Sequence, residues 1–184
     1  MRILAILPNP RHAGFGPKLR AEPQTAVSAL TVRDTALLYW TAAAWGAAIS
    51  VSKTDPEIIA DQPIVETLID RALQLDEKFD GGAIHSFLIA YEGSRQGAKG
   101  TPEQRAREHF DRAMQLSGGF QAGPLVSLAE NVYVPKQDRK EFQSLLQRAL
   151  AIDLDAKPEF RLVNLVMQRR ARWLLERSDK LFVE

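Results

Sequence analysis

Three histidines, His12, His85 and His109, are the chain's only imidazoles. Cysteine is absent, which excludes disulfides, thiolate metal sites and a thiol nucleophile. No second histidine and no cluster of acids accompanies any of the three at ligand spacing. Neither a zinc site nor a catalytic triad can be assembled from such a set. His109 stands beside Phe110 inside a repeated helix and reads as a structural or surface residue. His85, in the string GGAIHSF, opens a helix. There it reads as a half-buried ring bonded to neighbouring backbone, with a ligand contact as the other possibility.

The remaining polar groupings have plain structural explanations. Asp76-Glu77 and Asp153/Asp155 fall at corresponding helix ends, where turns use acids. Asp138, in the string QDR, is placed to accept backbone N–H bonds as a helix N-cap. Gly81-Gly82 and Gly118-Gly119 lack the G-K-[ST] sequel of a phosphate loop and read as helix stops. The cations Arg161, Arg169, Arg170, Arg172 and Arg177 are interrupted by Trp173 and balanced by Glu176 and Asp179, so they read as a solvated face. The expectation is a non-catalytic protein with no metal and no cofactor.

Binding is better served. Trp40, His85, Phe87, Tyr91 and Tyr133 fall on helices that would line the concave side of a helical-repeat protein. Aromatic walls with polar tips suit an organic ligand or a partner's helix. The same rings could equally pack between helices, and both readings stay open for the tyrosines.

The elements that would position these residues are helices throughout. No alternating β-branched run marks a strand. Residues 1–34, with Pro8, Pro10, Pro17 and Pro23, read as an irregular lead-in segment holding at most short helical turns. Residues 35–184 read as one domain of about seven helices. Their expected spans are 35–53, 63–79, 82–96, 102–117, 124–134, 137–152 and 158–181. Thr101 and Pro102 supply an N-cap and an N1 proline. The strings LIDRALQLDEKF, HFDRAMQLSGGF and LLQRALAIDLDA align without gaps, placing Ala72, Ala113 and Ala149 in one position at spacings of 41 and 36 residues. Such periods indicate stacked helical hairpins of tetratricopeptide type. The small residue allows close helix approach, and large apolar residues such as Ile69, Phe110 and Leu146 plug the gap to the next hairpin. In the last helix, Leu162, Leu165, Val166, Trp173 and Leu174 are expected toward the core, as in a capping helix.

Bulk composition agrees with a globular chain: 45% hydrophobic and 26% charged over 184 residues. Lys plus Arg number 24 and Asp plus Glu 23, a formal net charge of +1 that points away from nucleic acid. The N-terminal apolar run, Ile3 to Leu7, ends at Pro8 and falls short of the ~7–15 residues of a signal core. The chain as written is expected to stay cytoplasmic. An exposed helical end near Leu37, Leu38 and Ala42 is expected to drive self-association.

The strings LYWTAAAWGAAIS, DRALQLDEKFDGGAIHSFLIAYE, HFDRAMQLSGG, VPKQDRKEFQSLLQRALAID and RLVNLVMQRRARWLL resemble the T-component of TPR-associated TRAP transporters, over about residues 12–182. The resemblance implies an all-α, TPR-like α-α superhelix and a periplasmic lipoprotein. It further implies partnership with the periplasmic solute-binding P-component and a role in supplying a hydrophobic or organic-acid ligand. The resemblance implies a signal peptide, a lipobox cysteine and further helices ahead of the strings matched, and the chain as written is expected to carry none of them. A generic protein–protein interaction scaffold is the alternative function.

Overall fold

The computed structural model describes residues 14–52, 54–95 and 97–183. Every regular element among them is helical. The chain divides into two compact units, Met1–Phe79 and Asp80–Glu184.

In the first unit, α1 (Phe15–Ala21) and α2 (Pro23–Ser28) occupy the expected irregular segment. A short 3₁₀ turn, Val32–Asp34, follows and carries a capping box between Thr31 and Asp34. It leads into α3 (Thr35–Val51). The short α4 (Pro56–Ile59) is capped by Asp55, whose carboxylate accepts from the Glu57 and Ile58 backbone N–H groups. α5 (Gln62–Leu75) then packs along α3 as the first hairpin. The seam is set by helical spacing. Leu38, Ala42 and Trp45 of α3 are buried, as are Val65, Leu68, Ile69 and Ala72 of α5. Each large side chain buried there contributes about 1.5–3 kcal/mol. Arg20 of α1 closes the unit, gripping Asp61 with two hydrogen bonds of 2.8 and 3.2 Å and lying 5.4 Å over the Trp45 ring. The exposed patch expected near Leu37, Leu38 and Ala42 fails at Leu38 and Ala42, because this seam covers both.

The second unit opens through Gly81 and Gly82, both at positive φ, into α6 (Ala83–Tyr91). A Cβ on Gly82 would stand 3.1 Å from the Leu116 side chain, so the glycine admits close packing as well as the turn. Gly81-Gly82 thus starts a helix, where a stop was expected. α7 (Pro102–Leu116) pairs with α6, and Thr101 and Gln104 form its capping box. Gly118 and Gly119 end it, the Gly119 N–H bonding the Met114 carbonyl at 2.8 Å. The expected fifth helix is two elements. α8 (Gly123–Leu128) passes directly into a π-helical turn, Ala129–Tyr133. α9 (Arg139–Leu150) packs against both, and Asp138 caps it as expected by accepting from the Glu141 N–H. The sequence of hairpins, α3 with α5, α6 with α7 and α8 with α9, is compatible with a TPR-like repeat. Ala72, Ala113 and Ala149 are all buried, at 0, 1 and 0% exposure.

The C-terminal span also divides, into a 3₁₀ turn Pro158–Phe160, α10 (Arg161–Glu176) and α11 (Ser178–Leu181). Its orientation reverses the expectation. Of the five residues assigned to the core, only Leu174 is buried, whereas Leu162 is 75% and Val166 51% exposed. The buried face holds Asn164, Gln168 and Ala171. The reason lies in the backbone that α10 covers. Asn164 accepts from the Ala122 N–H at 2.8 Å and donates to the Phe120 carbonyl at 2.7 Å. Gln168 donates to the carbonyls of Ala149, Leu150 and Ile152, at 3.1, 3.3 and 2.8 Å. Backbone groups left over at helix ends need polar partners, and α10 supplies them from its inward face.

Candidate functional site

Within the second unit, a cleft of about 370 Å³ opens between the end of α6, the start of α7 and the π turn. Its apolar lining comes from Ile89, Ala106 and Val132, with Pro102 and Pro135 beside them. Thr101, Glu103, Asn131 and Lys136 supply polar groups. The π turn explains how Asn131 and Val132 reach it. Its wider ring, closed by the Val134 N–H on the Ala129 carbonyl at 3.2 Å, shifts the register of the residues it contains.

The cleft edge is charged. Lys136 Nζ lies 2.7 Å from Glu103 Oε1, and Arg107 Nε lies 3.1 Å from the same oxygen. The Lys136 hydrogen bond leads the influences that lower the Glu103 pKa, and Arg107 adds to it. Two cations thus share the Glu103 carboxylate beside an apolar floor, with Glu141 as a second acid acting, like Glu103, on Tyr133.

Behind this edge lies Tyr133, 2% exposed, with Arg107 5.2 Å and Lys136 6.0 Å from its ring centroid. Burial pushes its phenol above the ordinary range. Tyr133 thus supports the two cations from beneath rather than lining the cleft.

A second polar cluster ties α6 to α7. Glu92 is fully buried. Arg105 pairs with its carboxylate through Nε and donates through another nitrogen to the Glu92 carbonyl at 3.1 Å. Arg95 bonds the carboxylate at 3.1 Å, and His109 Nε2 stands 3.7 Å away. Burial opposes the charge on Glu92, but His109, Arg105 and Arg95 outweigh it and hold the carboxyl at about 2. His109 Nδ1 lies 2.8 Å from His85 Nδ1, so the imidazoles extend the chain of contacts into α6. Among the described residues no group of three or more His, Asp or Glu side chains is placed to hold a metal.

The sequence-derived binding residues are not brought together. Trp40 lies in the first unit, 61% exposed, its ring edge-on to Tyr39 at 5.0 Å. His85 is buried against His109. Phe87 and Tyr91 stack on each other at 5.4 Å, with Tyr91 8% exposed. His12 lies outside the described residues. Sequence reading missed Glu92, Arg105, Glu103 and Lys136. Glu92 carried a usable signal, since His85, Leu88 and Glu92 recur at i, i+3 and i+7 and share one apolar stripe.

No helix among the described residues is long and apolar enough to cross a membrane. The model of a family described as TRAP transporter T-component matches residues 4–182. An uncharacterized protein of Treponema pallidum (strain Nichols) is 23% identical over 158 residues, covering 86% of this chain and 49% of that protein. The chain therefore spans about half the length of that curated relative.

Proposed function

Because this chain belongs to the TRAP transporter T-component family, we propose that it is a non-catalytic accessory of a periplasmic solute-uptake system, partnering the solute-binding P-component. Its cleft takes an organic acid with an apolar tail, passed to or from that partner. The pairing of an apolar floor, Ile89, Ala106 and Val132, with a lysine, Lys136, at its rim supports this reading, since Glu103 is shared between Lys136 and Arg107. An apolar tail gains by leaving water, and a carboxylate gains a charge-assisted hydrogen bond from a lysine that only partly shares Glu103. Tyr133 keeps the cations in place from below. His85, Phe87 and Tyr91 belong to the scaffold that shapes α6 in this reading, and Trp40 offers a separate aromatic surface.

Calorimetric titration with decanoate, and with decanol as the uncharged match, tests the reading. Decanoate should bind more tightly than decanol. Lys136→Met should weaken decanoate about tenfold or more, as expected for loss of one charge-assisted bond, and leave decanol unchanged. Equal affinity for decanoate in both proteins, or no binding of either probe, would refute the assignment of the cleft.

A further inference from the structure

The outward face of α10 carries an exposed stripe of large side chains. Leu162, Val166, Arg169 and Trp173 follow at i, i+4, i+7 and i+11, so they line one side of the helix, and Leu165 flanks them. All are exposed, although Leu, Val and Trp make up most of the row. The inward face is already committed to Asn164, Gln168, Ala171 and Leu174, so rotation of the helix cannot hide the stripe. An exposed row of large apolar side chains, broken by one arginine, is the kind of surface that partners cover.

The charges on the stripe decide its occupant. Arg170 and Arg177 each bring a guanidinium to 4.4 Å from the Trp173 ring centroid. Arg170 is also paired with Glu130. Arg169 and Arg172, both exposed, make no hydrogen bond or ion pair among the described residues. Arg169 therefore places an unneutralised cation inside the apolar row, between Val166 and Trp173. A second copy docked antiparallel in full overlap, centred on Arg169, would set these arginines against one another, and only a shifted, shorter overlap would bring Arg169 to the other copy's Glu176. A lipid surface would have to accept a charge in the middle of the inserted face, where membrane-binding helices keep charges to the flanks. An acidic helix meets both requirements, laying apolar side chains on Leu162, Val166 and Trp173 and a carboxylate on Arg169.

We infer that α10 is a docking ridge for an acidic amphipathic helix of a partner protein. Helix-on-helix recognition uses anchors at this spacing, and Trp and Arg are the residue types that dominate such interfaces. The inference does not depend on the cleft.

The probe is a fluorescein-labelled helical peptide with a leucine seam flanked by glutamates, followed by fluorescence anisotropy. The control peptide carries lysine for every glutamate. Wild-type protein should bind the acidic peptide at least tenfold more tightly than the basic one. Arg169→Glu should reverse that preference while keeping the wild-type circular dichroism spectrum, which a purely structural role for Arg169 would not produce. No saturable binding of the acidic peptide, or equal binding to wild type and Arg169→Glu, overturns the inference. So does sedimentation with anionic phosphatidylglycerol vesicles that Arg169→Glu abolishes. Concentration-dependent dimerisation lost on Leu162→Glu would assign the ridge to a second copy and overturn it as well.

Discussion

His85 on α6 and His109 on α7 meet Nδ1 to Nδ1 at 2.8 Å. At that separation one ring donates and the other accepts, so the two imidazoles are locked as a pair. The other nitrogen of His109 faces Glu92, which Arg105 and Arg95 also hold. This chain of contacts is the polar seam of the second hairpin, and it fixes the wall from which Ile89 and Ala106 face the cleft.

Glu92 should make the stability of the second unit depend on acid. Its carboxyl sits at about 2 when folded, against an ordinary value of 4.5. A depressed folded pKa stabilises above the ordinary value and loses that contribution as pH falls from about 4.5 through about 2. Urea melts of wild type and Glu92→Gln should differ by about 3 kcal/mol at pH 7. The gap should shrink steadily below pH 4.5. A gap that stays constant down to pH 2 would show that the carboxylate charge is not what holds the seam.

Ala113 lies against the start of α6, with its Cα 3.4 Å from where a Cβ on Gly82 would stand. Ala113→Leu should overpack that contact and cost about 1–3 kcal/mol. Denaturant midpoints unchanged from wild type would mean that the hairpin yields more readily than its packing indicates.

Gln168→Leu should destabilise α10 although it makes the helix more apolar. The carbonyls of Leu150 and Ile152 would lose their side-chain donor, while that of Ala149 keeps the Ile152 N–H at 3.4 Å. Leaving such partly buried acceptors unpaired costs about 1–3 kcal/mol. A stabilised variant would contradict the polar role assigned to the inward face.

Much of this architecture was legible from residues with one physical meaning. Thr101 and Asp138 cap the helices they precede, and the three aligned alanines mark the tight helix seams. The orientation of α10 was not legible, because amphipathic spacing identifies two faces without saying which one a neighbour's unpaired carbonyls require. Asn164 and Gln168 answer to backbone from residues 120–122 and 149–152, distant in sequence. The π turn at Ala129–Tyr133 carries no compositional mark, so Asn131 and Val132 could not be placed in a cleft. Family resemblance was readable in whole strings, whereas the cleft depends on Glu103, Arg107 and Lys136 meeting from different elements. The aromatic residues were read for their chemistry, but burial of Tyr91 and Tyr133 follows from packing that a single sequence does not display.

Heteronuclear NMR of the labelled protein titrated with decanoate would locate the ligand, because it reports where a ligand binds as well as whether it binds. Saturable amide shifts are expected at Ile89, Thr101, Ala106, Val132 and Lys136, absent with Lys136→Met, with little change at Trp40 or along the outward face of α10. Shifts centred on Trp40 or on Leu162 to Trp173, with the cleft residues unmoved, would contradict the assignment of the cleft.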